Sequence, residues 1–221
     1  MKKYFLLIGF EIFFLFFSRL GLAQSIKQTE PNGEPTLTFQ IKVSDFGGLA
    51  YPILRGKKPD DIIEISLSGE LLNPPKEVEI ISKQSIDRTT PEKAAVSRLS
   101  ANKSYDVEWM IENWAPEDRN EIKAFFEDQE VFRKNQEFFK TIFAKQFILG
   151  KVTYKEYVIL LARDDYKNGK SGVPRVYPYI NVKNGWRETN ALAADETLAV
   201  VEATLRLWDN KWLTQTDRKP N

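Results

Sequence analysis

Five tyrosines and a tryptophan crowd one stretch of the chain: Tyr154, Tyr157, Tyr166, Tyr177, Tyr179 and Trp186. Aromatic faces with polar tips suit glycans or flat ligands, which stack on the ring and hydrogen-bond to its hydroxyl. On this reading Tyr157, Tyr177, Tyr179 and Trp186 are the candidate ligand-binding residues. The competing reading is stronger: large aromatics pack a small sheet against helices, because strands are enriched in Tyr and Trp.

The carboxylates offer less. Glu108, Glu112, Glu117, Asp118, Glu121, Glu127, Asp128 and Glu130 alternate with Lys and Arg at helical positions. A paired-acid hydrolase holds two carboxyl groups about 5–10 Å apart across a cleft, whereas this spacing describes a solvated helix face. Asp164 and Asp165 fall in what reads as a turn, again as solvated acids. The stretch "DDYKNGKSG" has oxygen ligands around Gly169, but Lys167 and Lys170 oppose a dication. Its "GKSG" lacks the upstream glycine and following helix of a phosphate-binding loop. Arg55, Lys57 and Lys58 are backed at once by Asp60 and Asp61, which describes a surface loop.

The sequence contains neither histidine nor cysteine. Ser-His-Asp and Cys-His constellations are therefore excluded, as are His- or thiolate-ligated zinc and disulfides. The side chain most used for proton transfer near neutral pH is missing as well. Asp, Glu, Lys and Tyr remain, so catalysis is made less expected without being forbidden. No catalytic residue, metal or cofactor is assigned. With 32 basic and 31 acidic residues there is no basic field to gather nucleic acid.

Several elements must position these groups. "TLTFQIKVS" alternates Leu37, Phe39, Ile41 and Val43 on one face, "IIEISLSGE" alternates again, and "EVEII" supplies a third short strand. Residues 36–86 thus form a small β-rich module, entered by a polar linker over 24–35. Thr90-Pro91 starts a helix. Val107, Met110, Ile111 and Trp114 mark a second helical face, Pro116 opens a third, and residues 129–143 continue in helical period. From about Ala144 the period becomes two, with strands at roughly 144–152, 156–163, 173–183 and 186–191. A final helix begins at Asp195, so residues 88–213 form an α+β domain with helices first, and 214–221 are a polar tail.

"TPEKAAVSRLSANKSYDVEWMIENW", "PEDRNEIKAFF" and "INVKNGWRETN" together resemble the nuclear-transport-factor-like (SnoaL-type) superfamily over about residues 88–192. The resemblance implies a cone, in which helices pack into the concave side of a bent antiparallel sheet, often with a pocket at its open end. Its enzymatic members use an Asp or an Asp-His pair with Tyr support. The paired form cannot apply to a chain without histidine.

Residues 1–23 combine Lys2 and Lys3, an apolar run from Tyr4 to Phe17, and small residues at Gly21 and Ala23. That is the layout of a signal peptide cut before Gln24. The run is interrupted by Glu11 and ends by Arg19, short of the roughly 20 residues that span a bilayer. Cleavage removes three bases and one acid, taking the formal charge from +1 to −1. The expected product is an exported, periplasmic or secreted protein, touching the membrane only through its signal peptide. It would have a non-catalytic binding or assembly role toward a protein partner or a small hydrophobic or glycan ligand. The alternatives are a small-molecule isomerase or hydrolase using Asp or Glu with Tyr, and a glycan-binding module.

The Asn184-Gly185 turn leaves two registers open. A two-residue turn opposes Lys183 to Trp186 and groups Trp186 with Tyr177, Tyr179 and Asn181. A three-residue loop opposes Val182 to Trp186 and sends the tryptophan into a core with Val176, Ile180 and Val182. The second is preferred, since it gives Val182 a large apolar partner.

Overall fold

The computed structural model describes residues 25–30, 33–46 and 52–216, with the side chains of 209–216 excepted. The expected signal peptide lies outside the described residues. Seven antiparallel strands form one sheet whose spatial order follows the chain: β1 (Ser25–Thr29), β2 (Thr36–Lys42), β3 (Ile62–Glu77), β4 (Phe143–Tyr154), β5 (Tyr157–Tyr166), β6 (Arg175–Val182) and β7 (Gly185–Glu188). Four helices, α1 (Pro91–Ser104), α2 (Val107–Glu112), α3 (Arg119–Glu127) and α4 (Gln129–Glu137), are inserted between β3 and β4. A π-helical turn over Phe138–Ile142 leads from α4 into β4, and α5 (Glu196–Thr216) follows β7.

The chain is α+β, but the expected order is corrected. Instead of a β module, then helices and a separate bent sheet, the early strands belong to the same sheet as the later ones. Long β3 makes the join. Its first half pairs with β2 from Ile62↔Lys42 to Ser68↔Thr36. Its second half pairs with β4 from Gly69↔Val152 to Glu77↔Phe147, interrupted by an irregularity between Leu71 and Lys76. The stretch read as an entry linker contains β1, because Ser25–Thr29 finds a full ladder on β2. "EVEII" yields no strand of its own, since Glu77 is the last residue of β3 and only Val78 bonds on to β4 beyond it, through its amide to the Gln146 carbonyl at 2.8 Å.

Both faces of the sheet are covered. On one, Leu198, Val201 and Leu205 of α5 pack against Leu37, Phe39, Val152, Ile159 and Leu161. On the other, Ala94, Ala95 and Leu99 of α1, with Phe139 and Phe143, pack against Ile148, Leu160 and Tyr179. Two alanines facing the sheet let α1 approach closely, and Thr90 caps the helix by accepting from the Lys93 amide at 3.3 Å. β5 reads "YVILLA" without alternation because Ile159, Leu160, Leu161 and Ala162 are all buried, alternately toward the two helical layers. Asp195 starts α5 by accepting from the amides of Thr197 (2.9 Å) and Leu198 (3.2 Å).

The β6–β7 hairpin follows neither expected register. Val182 pairs with Gly185 and Asn181 with Trp186, so the loop is Lys183-Asn184. Gly185 has φ +99°, and a Cβ there would lie 2.5 Å from the Arg88 carbonyl. The Trp186 amide donates to that same carbonyl at 2.8 Å. The close approach of the Arg88 backbone therefore fixes the turn. Trp186 falls on the face of Tyr177 and Tyr179, packed against the α1 layer, and does not join Val176 and Ile180 on the α5 side. The preference for an apolar partner assumed one buried face. With both faces buried, hydrophobicity does not choose between registers.

Candidate functional site

The aromatic candidates separate by face. Tyr157 is buried on the α5 side, opposite Ile180 in the β5–β6 ladder. Tyr177, Tyr179 and Trp186 share the α1 side, where Tyr179 is wholly buried and the other two are partly so. The sheet thus brings three of the four together, under a helix.

What that helix brings to them is a charge. Arg98, in the middle of α1, lies with its Nε 3.2 Å from Glu188 Oε2, an ion pair without hydrogen-bond geometry in which Glu188 is buried and Arg98 nearly so. Its guanidinium stacks 4.4 Å from the centre of the Tyr177 ring and donates through Nη2 to Gln146 Oε1 at 2.9 Å. Gln146 in turn donates to Asp164 Oδ1 at 2.7 Å. The Tyr179 hydroxyl is buried beside Arg98 without a well-formed hydrogen bond. The network spans α1, β4, β5, β6 and β7.

Electrostatics follow from burial. Glu188 is pushed above the usual carboxylate range by desolvation, against the pull of Arg98 and with a small push from Asp118. Asp164 is raised by desolvation, moderated by its bond to Gln146 and by Arg98 and Arg175. This corrects its reading as a solvated turn acid: Asp164 and Asp165 are both strand residues of β5. The Tyr177 hydroxyl is pushed up to about 12 by desolvation and by Asp164, and Tyr179 further still, chiefly by desolvation. Arg98 is held protonated, since the attraction of Glu188 and its neighbours outweighs desolvation. A paired, buried Arg–Glu with neutral tyrosines around it is a fixed charge arrangement. It orders the α1 layer against the sheet.

A second polar cluster sits at the β7 edge. The segment after α2 pairs with β7: the Glu188 amide donates to the Asn113 carbonyl at 3.0 Å and the Ala115 amide to the Glu188 carbonyl at 2.8 Å. Arg88 enters from the loop before α1, its Nε donating to Asn113 Oδ1 at 3.0 Å and its Nη2 lying 3.8 Å from Glu112 Oε2. Asn113 Oδ1 also accepts from Ser97 Oγ at 2.7 Å, and Ser97 accepts from the Trp109 indole at 2.9 Å. Arg119 Nε donates to the Trp114 carbonyl at 3.1 Å. Arg187, on β7 itself, donates through Nη1 to the carbonyls of Trp186 (2.8 Å) and Asn184 (3.2 Å). Its pKa is lowered to about 10 by burial and by the nearness of Arg88 and Arg119.

Elsewhere, Tyr105, Arg133, Gln136, Glu137, Lys140 and Thr141 line an open groove of about 500 Å³ beside α4. Among the described residues no three His, Cys, Asp or Glu side chains cluster as a metal site, and no helix is long and apolar enough to cross a membrane.

Sequence reasoning missed both clusters. Arg98 had a signal: it interrupts the small and apolar run "AAVSRLSA" on a helix whose neighbours are buried. "GWRET" gave another, with Glu188 two residues from Trp186 and so on the same face of its strand. Nothing local links Arg88, Arg119 and Arg187, which meet only because the α2–α3 connection pairs with β7.

No family model matches the chain, and no curated protein matches it. A solved structure that matches is the solution structure of a SEC-C motif-containing protein from Rhodopseudomonas palustris. It is 19% identical, covers 45% of this chain and 75% of its own, and has a TM-score of 0.34. The likeness is too partial to transfer function. The expected nuclear-transport-factor-like assignment is corrected on these findings, since no match to that superfamily is among them.

Proposed function

We propose that this is an exported binding or assembly protein without chemistry of its own. The observation that supports it is the treatment of Glu188, the acid most strongly shielded from water among the described residues. It is paired with Arg98 at 3.2 Å, and its strand edge is covered by Asn113–Ala115. A general acid or base must reach a substrate proton, and this one faces an arginine beneath a helix. The tyrosines that would support it are packed against α1. The partner is a protein or a small ligand met at the surface.

The test uses Glu188→Gln and Asp164→Asn beside the native protein. Hydrolysis of 4-nitrophenyl esters and glycosides is expected at the buffer rate for all three. A rate above buffer that falls in either variant overturns the reading in favour of an acid-assisted hydrolase. Export is checked separately by N-terminal sequencing of the protein recovered outside the cytoplasm, which is expected to begin at Gln24.

A further inference from the structure

We propose that Arg88, Arg119 and Arg187 form a binding site for a small oxyanion, the carboxylate or phosphoryl group of a ligand, at the β7 edge. The site rests on the binding reading and names the ligand chemistry. Its geometry is set by backbone. The Arg88 carbonyl takes the Trp186 amide at 2.8 Å, which places Arg88 beside the residue before Arg187. Trp114 bridges to Glu188, the residue after Arg187, and its carbonyl holds Arg119 Nε at 3.1 Å. Backbone pairing thus brings Arg88, and the Trp114 carbonyl that holds Arg119, to the residues on either side of Arg187.

The charge there does not balance. Glu112 is the carboxylate that reaches the cluster, 3.8 Å from Arg88 Nη2, and its side chain is 45% exposed. Among the described residues, one acid ion-pairs with these three cations. Arg187 is only 6% exposed, so water cannot dissipate its charge freely. Arg88 Nη2 and Arg187 Nε are both buried and make no hydrogen bond. Buried donors on charged groups are costly to leave unpaired. The guanidinium fork matches carboxylate and phosphate geometry bidentately. Cooperating forks with spare donors and excess positive charge are what an oxyanion requires.

Among the described residues Asp118 forms no ion pair with the three arginines. Its Oδ2 accepts the Asn190 amide at 3.1 Å. Each guanidinium is also pinned through one nitrogen: Arg88 by Asn113, Arg119 by Trp114 and Arg187 by Trp186. The donors are therefore pre-oriented, which lowers the cost of binding.

The experiment is isothermal titration of the full exported chain with inorganic phosphate and, separately, with acetate, in low-chloride buffer. Saturable one-to-one binding of at least one is expected. Phosphate alone identifies a phosphoryl ligand; acetate, with or without phosphate, admits a carboxylate. Arg119→Gln and the charge-conserving Arg187→Lys are each expected to weaken binding tenfold or more while circular dichroism stays native. Lys145→Gln, away from the site, is expected to leave it unchanged. Absence of saturable binding in the native protein, or equal binding in all variants, overturns the site while leaving the binding reading intact. Turnover of 4-nitrophenyl acetate in the same samples overturns the binding reading and leaves the site standing.

Discussion

Replacing Arg98 with methionine keeps much of the side chain's length and removes half of a buried ion pair. Glu188, 5% exposed, then carries a charge with no counter-ion within reach. Breaking a buried pair from one side costs about 3–5 kcal/mol. Gln146 also loses its donor at 2.9 Å and Tyr177 its stacked cation at 4.4 Å. These losses, about 1 kcal/mol each, overlap with the first and are not summed. Against a typical domain stability of about 5–15 kcal/mol, the deficit is easily read by urea denaturation at neutral pH.

The deficit carries a pH signature. Glu188 already sits above the usual carboxylate range in the folded protein, through desolvation that Arg98 partly opposes. Removing Arg98 raises it further. A raised folded-state pKa gives stability that is complete below the unfolded value, about 4.3 for Glu, and is lost as pH rises toward the folded value. The Arg98→Met deficit should therefore shrink on acidification, by up to about 1.4 kcal/mol per pH unit, as pH falls from the variant's folded Glu188 pKa to the lower native one. The double variant Arg98→Met/Glu188→Leu should regain most of the native stability at neutral pH. A deficit under about 1 kcal/mol at pH 7 would refute the reasoning, since breaking such a pair costs several times that. So would a deficit independent of pH, or a double variant no more stable than the single one.

Other consequences are separately testable. Ultraviolet titration should show a tyrosine near 12 that Tyr177→Phe removes. Because that pKa is raised by folding, its stabilising contribution should fade between the ordinary tyrosine value of about 10 and 12 as pH rises. Gly185→Ala must place a Cβ 2.5 Å from the Arg88 carbonyl at φ +99°. It should cost about 1–3 kcal/mol in urea melts and speed amide exchange at Trp186. Leu205→Ala, at a fully buried α5 position, should cost about 2–5 kcal/mol in the same single transition that reports the sheet. A separate early transition would show α5 to be dispensable.

The sequence by itself determined several of the elements. Alternation in "TLTFQIK" marked β2, Thr90-Pro91 marked the start of α1, and Asp195 marked the start of α5, because caps and periodicity are local chemistry. It did not determine how they assemble. The two blocks of strands are separated by four helices, and only the ladder along β3 makes them one sheet. Hydrogen bonding between residues some 80 apart leaves no trace in local spacing. The hairpin register was equally closed to sequence reasoning, since helices on both faces remove the contrast between core and solvent that register arguments use. The candidate sites lay deeper still. Arg98 and Glu188 were passed over, because they become a buried pair only when α1 lies across β7. Arg88, Arg119 and Arg187 become one cluster only when the chain after α2 pairs with that strand. The sequence supplied charges whose burial, and therefore whose energetic weight, the tertiary structure alone decided.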